Sequence, residues 1–273
     1  MIENGDELKK LYDYRKNRTK LHLDDKILLS WNSMMIAALS MLFRVSRNEK
    51  YLKTAAHAQR FIENKMCDGV QLYTSWRDRK RSENCFLDDY AYYITALIEL
   101  YNTTLDSSYL EKAERFCDEA VRRFGDKNHG GFYLSESNHT GLFMNPKEVY
   151  DGAIPSGNSV MAYNFVRLYQ LTKNEKYHEL AEKQIAFLSS QAIDYPAGHC
   201  MFLIAKMTYE NPPKHITVVL NNDSDSEKIK RSIPFFANIS VVKESQEYPV
   251  LNGKTTYYIC KNHACLPPTN VLY

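Results

Sequence analysis

FLDDYAYYITALIELYNTTLDSSYLEKAERFCDEAVRRF, residues 86–124, reads as two helices joined by a short polar turn. The first half is apolar almost all round, with Ala91, Tyr92, Ile94, Ala96, Leu97, Ile98, Leu100 and Tyr101, the composition of a helix packed on several sides. The second half has a single apolar stripe at helical spacing, Leu110, Ala113, Phe116, Cys117, Ala120, Val121 and Phe124, with charged residues mostly between them. The first reads as an inner helix and the second as an outer one.

The same grammar recurs on both sides of this hairpin. The turn into the outer helix reads NEKYLKTA from Asn48, DSSYLEKA from Asp106 and NEKYHELA from Asn174, which places Tyr51, Tyr109 and Tyr177 in register. Counting back equally from each tyrosine reaches Ser30-Trp31-Asn32, Asp88-Asp89-Tyr90 and Ser156-Gly157-Asn158, the expected inner-helix starts. Residues 6–18 form a short charged candidate outer helix, and PAGHCMFLIAKMTYEN, residues 196–211, a fourth inner helix without an outer partner. Alternating inner and outer helices predict a mainly α fold, a partial α/α toroid of the six-hairpin type over residues 1–213, with the inner-helix starts around one mouth. A helical solenoid is the alternative, although the tyrosines are spaced more widely than common solenoid periods. The unpaired helices at each end predict an apolar face that self-association or an N-terminal partner segment would cover.

Beyond Pro212-Pro213 the pattern changes. ITVVL at 216–220, 239–242 and 255–259 read as strands and 226–236 as a helix, a small α/β appendage over residues 214–273. NNDSDSE follows the first strand where a phosphate-binding loop would need glycines. Segments 70–74 and 131–134 alternate like short strands.

The 273 residues carry 35 basic and 33 acidic side chains, a net charge of +2, so no overall field points to nucleic acid or an anionic membrane. No segment approaches the roughly 20 apolar residues that span a bilayer, and the chain reads as soluble and cytoplasmic. Six cysteines, four of them scattered, do not read as a secreted disulfide framework. Cys260 and Cys265 in CKNHAC, with His263 between, read as two reduced thiols, a disulfide being the alternative. No spacing suggests a metal site or a cofactor.

Four motifs stand in order along essentially the whole chain, LHLDDKILLSWNSMMIAAL, FLDDYAYYITALIELY, KEVYDGAIPSGNSVMAYNFVRL and YYICKNHACLPP. Together they resemble the C-terminal half of the spermatogenesis-associated, thioredoxin-domain-containing proteins. That resemblance implies a glycosidase-like toroid similar to N-acylglucosamine epimerases. The thioredoxin-like domain of that family has no counterpart here, so no redox activity carries over. Ser33 stands in SWNS where the family commonly has glycine.

At a toroid mouth, paired carboxylates can work as general acid and base on a sugar. Asp88, Asp89 and Asp151 are the candidate catalytic residues. The simpler role for each is to cap a helix. His22, Asp24, Asp25, Trp31, Asn32, Tyr90, Ser156 and Asn158 are the candidate binding residues, polar groups for hydroxyls and aromatic faces for stacking, with core packing the default for Trp31. Trp76, Glu148, Ser159 and His199 are secondary candidates. Hydrolysis would use Asp88 or Asp89 with Asp151, and epimerisation would place His22 or His199 at the sugar ring. Two functions are thus in view. One is a glycoside hydrolase or sugar epimerase type of protein acting on a sugar-like ligand. The other is a non-catalytic docking module that accompanies a thioredoxin-like domain in longer relatives.

Overall fold

The structure is a computed structural model that describes residues 5–136, 144–222, 225, 229–230, 234–261 and 264–272. In chain order come α1 (Gly5–Lys16), β1 (Ile27–Leu28), α2 (Leu29–Ser46), α3 (Glu49–Lys65), β2 (Cys67–Asp68), β3 (Gln71–Leu72), β4 (Ser75–Arg77) and β5 (Lys80–Arg81). Then follow α4 (Leu87–Thr104), α5 (Ser107–Phe124), α6 (Gly157–Thr172), α7 (Glu175–Ala192) and α8 (Cys200–Glu210). The strands β6 (His215–Val219), β7 (Asn238–Val242), β8 (Thr256–Lys261) and β9 (Ala264–Cys265) complete the order.

Helices α2, α4, α6 and α8 pack side by side as an inner layer, and α3, α5 and α7 each lie behind the inner helix that precedes them. One local device makes all three hairpins. The inner helix of each hairpin ends on a residue in the left-handed region, Arg47, Leu105 or Lys173, whose N–H returns to Phe43, Tyr101 or Tyr169. The next residue, Asn48, Asp106 or Asn174, caps the outer helix by accepting from Lys50, Ser108 or Lys176 N–H. A non-glycine residue at positive φ costs about 1 kcal/mol, and the cap bond that follows offsets about as much.

The main core lies between the layers and includes Tyr90, Tyr93, Leu97, Phe116, Phe124, Phe165 and Leu168. Helix α4 is buried on nearly every side, as its uniform apolarity predicts. Its seam with α6 carries one polar bridge: Asn164 donates to Ala91 O at 2.8 Å and accepts from Thr95 Oγ1 at 2.8 Å. At the two open ends α1 buries nothing, and α2 exposes Trp31, Met35, Leu42 and Val45. Trp31 corrects the expectation of core packing: it is 62% exposed, on the side of α2 facing away from α3 and α4.

The four-stranded sheet runs β7-β6-β8-β9, parallel between β6 and β7 and antiparallel elsewhere. It packs at the C-terminal ends of the inner helices. Tyr101 Oη donates to Ile239 O at 2.9 Å, Asn238 donates to Gln170 at 2.9 Å and Ser240 to Leu171 O at 3.1 Å.

Three other sequence expectations change. Cys260 and Cys265 are directly paired across β8 and β9 and form a disulfide, because strand pairing brings them opposite each other; His263 lies outside the described residues. Segment 131–134 makes only one bridge, Gly125 to Phe132, since the Phe132 backbone bonds instead to the Asn158 side chain. Within 70–74 only Gln71 and Leu72 are strand, in a hairpin with Cys67 and Asp68. The expected helix at 226–236 is helical at 229–230, lies outside the described residues at 226–228 and 231–233, and has ended by 234–236.

Candidate functional site

The first turns of the inner helices present N–H groups without intrahelical acceptors. Much of the polar sequence at these starts answers that need. Ser156 caps α6 by accepting from Ser159 N–H. Asp89 accepts from Phe86 N–H at 3.0 Å and from Thr74 Oγ1 at 2.6 Å, locking the start of α4 to the segment before β4. Asp151 reaches further. Its Oδ1 accepts from Ser156 N–H at 2.9 Å, and its Oδ2 from Met201 and Phe202 N–H at 2.8 and 3.2 Å. It thereby caps α8 from a distance, where His199 at the cap position makes no such bond.

Asp88 differs from these two. It is partly buried, and its Oδ1 is enclosed without a hydrogen-bond partner. Among the described residues no cation pairs with it. Burial pushes its carboxyl up to about 6, and the charges of Asp89 and Glu148 add to the effect while the Gly157 N–H opposes it. A Cβ at residue 157 would lie 2.4 Å from Asp88 Oδ1, so glycine is what allows this approach. Asp89 is also raised by burial, against its bonds to Thr74 and the backbone, but at 1% exposure it is out of a ligand's reach.

Beside this start, Tyr150 and Tyr195 stack with planes 9° apart and expose their rings. The His199 ring stands edge-on to Tyr150, and its Nδ1 is enclosed without a partner. Gly198 makes the arrangement possible, because a Cβ there would lie 2.6 Å from both tyrosine rings. Tyr92 Oη donates to Pro155 O at 2.6 Å and holds the loop in place. These tyrosines were missed from sequence, although Tyr150 adjoins Asp151 and Tyr195 adjoins the Pro196–Gly198 turn.

The remaining predicted residues do not join the group. Tyr90 is fully buried, its ring against Phe116 and Phe124 and its hydroxyl between Leu72 N and Val70 O, so it is a core residue rather than a stacking face. Asn158 is likewise fully buried and ties Phe132, Glu148 and Gln184 together. Asn32 donates to the O of Leu28, the cap residue just before its own helix. Asn32, Asp89 and Asn158 therefore do not line a common opening, although they are matched in the repeat. Asp24 and Asp25 are exposed and pair with Lys26 and Arg77 at 3.3 and 2.8 Å, and His22 lies 3.4 Å from Arg77. Trp76 packs edge-on to Phe61.

No family model matches the chain. Spermatogenesis-associated protein 20 of Rattus norvegicus is 28% identical over 298 residues, a match covering 96% of this chain and 37% of that protein. The Homo sapiens protein of the same name is 26% identical over the same shares. The chain is similar to spermatogenesis-associated protein 20. It spans well under half the length of these spermatogenesis-associated relatives. Among solved structures, a GH76 α-mannanase of Bacteroides thetaiotaomicron superposes with a TM-score of 0.55 at 17% identity, over 78% of this chain and 57% of that one. The cellobiose 2-epimerase of Spirochaeta thermophila gives 0.50 at 23% identity, over 59% and 42%. At such identities the likeness is one of fold, and that fold is the α/α toroid of glycosidase-like proteins. Among the described residues no helix is long and apolar enough to cross a membrane.

Proposed function

We propose that the inner-helix starts of this chain form the ligand face of a glycosidase-like toroid, which takes a sugar or sugar-like molecule with Asp88 as the proton-bearing group. The observation that carries this reading is the Asp88 carboxyl, partly buried, unpaired and raised to about 6. A carboxyl in that range holds its proton often enough to donate it to a sugar oxygen and is ionised often enough to take it back. The exposed rings of Tyr150 and Tyr195 offer apolar faces to a pyranose. His199, with its unpartnered Nδ1, is the second proton-transfer group of the face. In this reading Asp89 and Asp151 are positioning residues, residues 1–213 carry the ligand face, and 214–273 close the far end. The sugar-active names of the fold neighbours support the substrate class.

The docking-module reading has one observation in its favour: two of the three candidate catalytic carboxylates are helix caps. Thermal unfolding against a panel of mono- and disaccharides separates the two. The first reading expects at least one sugar to raise the melting temperature, and Asp88→Asn to lose that rise while keeping the fold. If no sugar produces a shift, the docking module is the better account.

A further inference from the structure

The opposite end of the inner layer holds a second feature. There α2, α4, α6 and α8, with the turn at 234–236, enclose a cavity of about 490 Å³. Two guanidinium groups line it, Arg44 from α2 and Arg167 from α6, each 8% exposed. Charged groups at that depth are paired as a rule. Arg44 obeys it: its guanidinium bonds to the Glu99 carboxylate of α4 and lies 4.8 Å from the Phe235 ring centre. Arg167 does not. Among the described residues no carboxylate lies within ion-pair reach of it, and its Nε, like that of Arg44, has no acceptor; the Tyr163 ring lies 6.0 Å away. Among the described residues, two buried positive charges and one negative leave a surplus of one positive charge in the cavity.

The rest of the wall is apolar, with Met41, Ile204, Met207, Phe235 and Phe236. Ile204, Met207 and Phe236 are exposed, so this side is open to solvent. The volume lies in the range of small-molecule sites. Arg44 stands fifteen residues into α2, about 22 Å along its axis from the inner-helix starts at 1.5 Å per residue.

We propose that this cavity binds an apolar monocarboxylate, whose carboxylate pairs with Arg167 and whose body lies against the Met, Ile and Phe side chains. The surplus of one charge selects a monoanion. A phosphate monoester carries more than one negative charge at neutral pH and would require a second free cation, whereas Arg44 is already engaged by Glu99. The planar guanidinium fork matches a carboxylate in two parallel hydrogen bonds. The site is remote from Asp88, and the inference does not rest on the sugar-binding reading.

The test is calorimetric and thermal, on the whole chain, with phenylpropanoate, its uncharged analogue phenylpropanol and inorganic phosphate as probes. Phenylpropanoate should bind one to one and raise the melting temperature, phenylpropanol should bind at least about tenfold more weakly, and phosphate should not compete. Arg167→Met should abolish phenylpropanoate binding. Without ligand it should melt at or above the wild-type temperature, because it removes an uncompensated buried charge. Arg167→Lys keeps the charge without the fork and should bind more weakly than wild type. The proposal is overturned by equal binding of the alcohol, by undiminished binding to either variant, or by a marked loss of stability or of folding in Arg167→Met, which would show that Arg167 is already paired within the protein.

Discussion

Replacing Asp88 by asparagine keeps the shape of the side chain and removes its charge, and the structure fixes the sign of the outcome. The carboxyl titrates near 6 in the folded chain against 3.8 for an unperturbed aspartate. The folded state therefore holds this proton more tightly than the unfolded state does. Between about pH 4 and pH 6 folding takes up a proton, so stability falls as pH rises through that window, and the full destabilisation is present at pH 7. At about 1.4 kcal/mol per unit, discounted for the partial exposure of the group, the ionised carboxylate costs about 2–3 kcal/mol. Asp88→Asn should then gain about that much stability over wild type between pH 4 and pH 7. The shared burial with Asp89 works in the same direction, because removing one charge eases ionisation of the other. Urea unfolding of both proteins at several pH values provides the measurement, with the m-value as a control for two-state behaviour. If the stability difference between the two is flat across the window, to within about 0.5 kcal/mol, Asp88 is an ordinary solvated carboxylate. The proton-transfer reading would then lose its support.

Asp151→Ala leaves three backbone N–H groups without their acceptor, two of them at the start of α8; a loss of about 2–3 kcal/mol is expected, read as a lower urea midpoint. Gly157→Ala drives a methyl group into Asp88 Oδ1 and should destabilise by about 1–3 kcal/mol, with the Asp88 titration displaced in an NMR pH series. Glu99→Gln strands the buried Arg44 beside Arg167 and should reduce stability by about 3–5 kcal/mol, whereas Lys206→Gln, which breaks the exposed pair with Glu210, should change it by less than about 1 kcal/mol.

The repeat was legible because everything that specifies a hairpin is local. Helical periodicity, an Asn or Asp cap and the following tyrosine lie within a few residues of one another, and the same cap bond forms three times. The small sheet was legible for a similar reason, since β-branched runs announce strands. Less was legible in the short strands. Segment 131–134 has the alternation of a strand, but its backbone partner is the side chain of Asn158, more than twenty residues away.

The candidate site was legible as a set of residue types and illegible as a set of roles. Asp88 and Asp89 are adjacent and chemically identical, yet a step of one residue turns a helix by about 100°. One carboxylate thereby meets Phe86 and Thr74, and the other the bare backbone of Gly157. Arg44, Glu99 and Arg167 are charges within apolar inner helices, a local oddity visible in sequence, but only packing puts them in one cavity. From its sequence alone the chain determined its inner and outer helices, its caps and its order of hairpins, because those follow from neighbours along the backbone. Which carboxylate is unpaired, which aromatic is exposed and which buried cation lacks a partner were decided by tertiary packing, because solvation and pairing depend on atoms that residues far apart in the chain bring together.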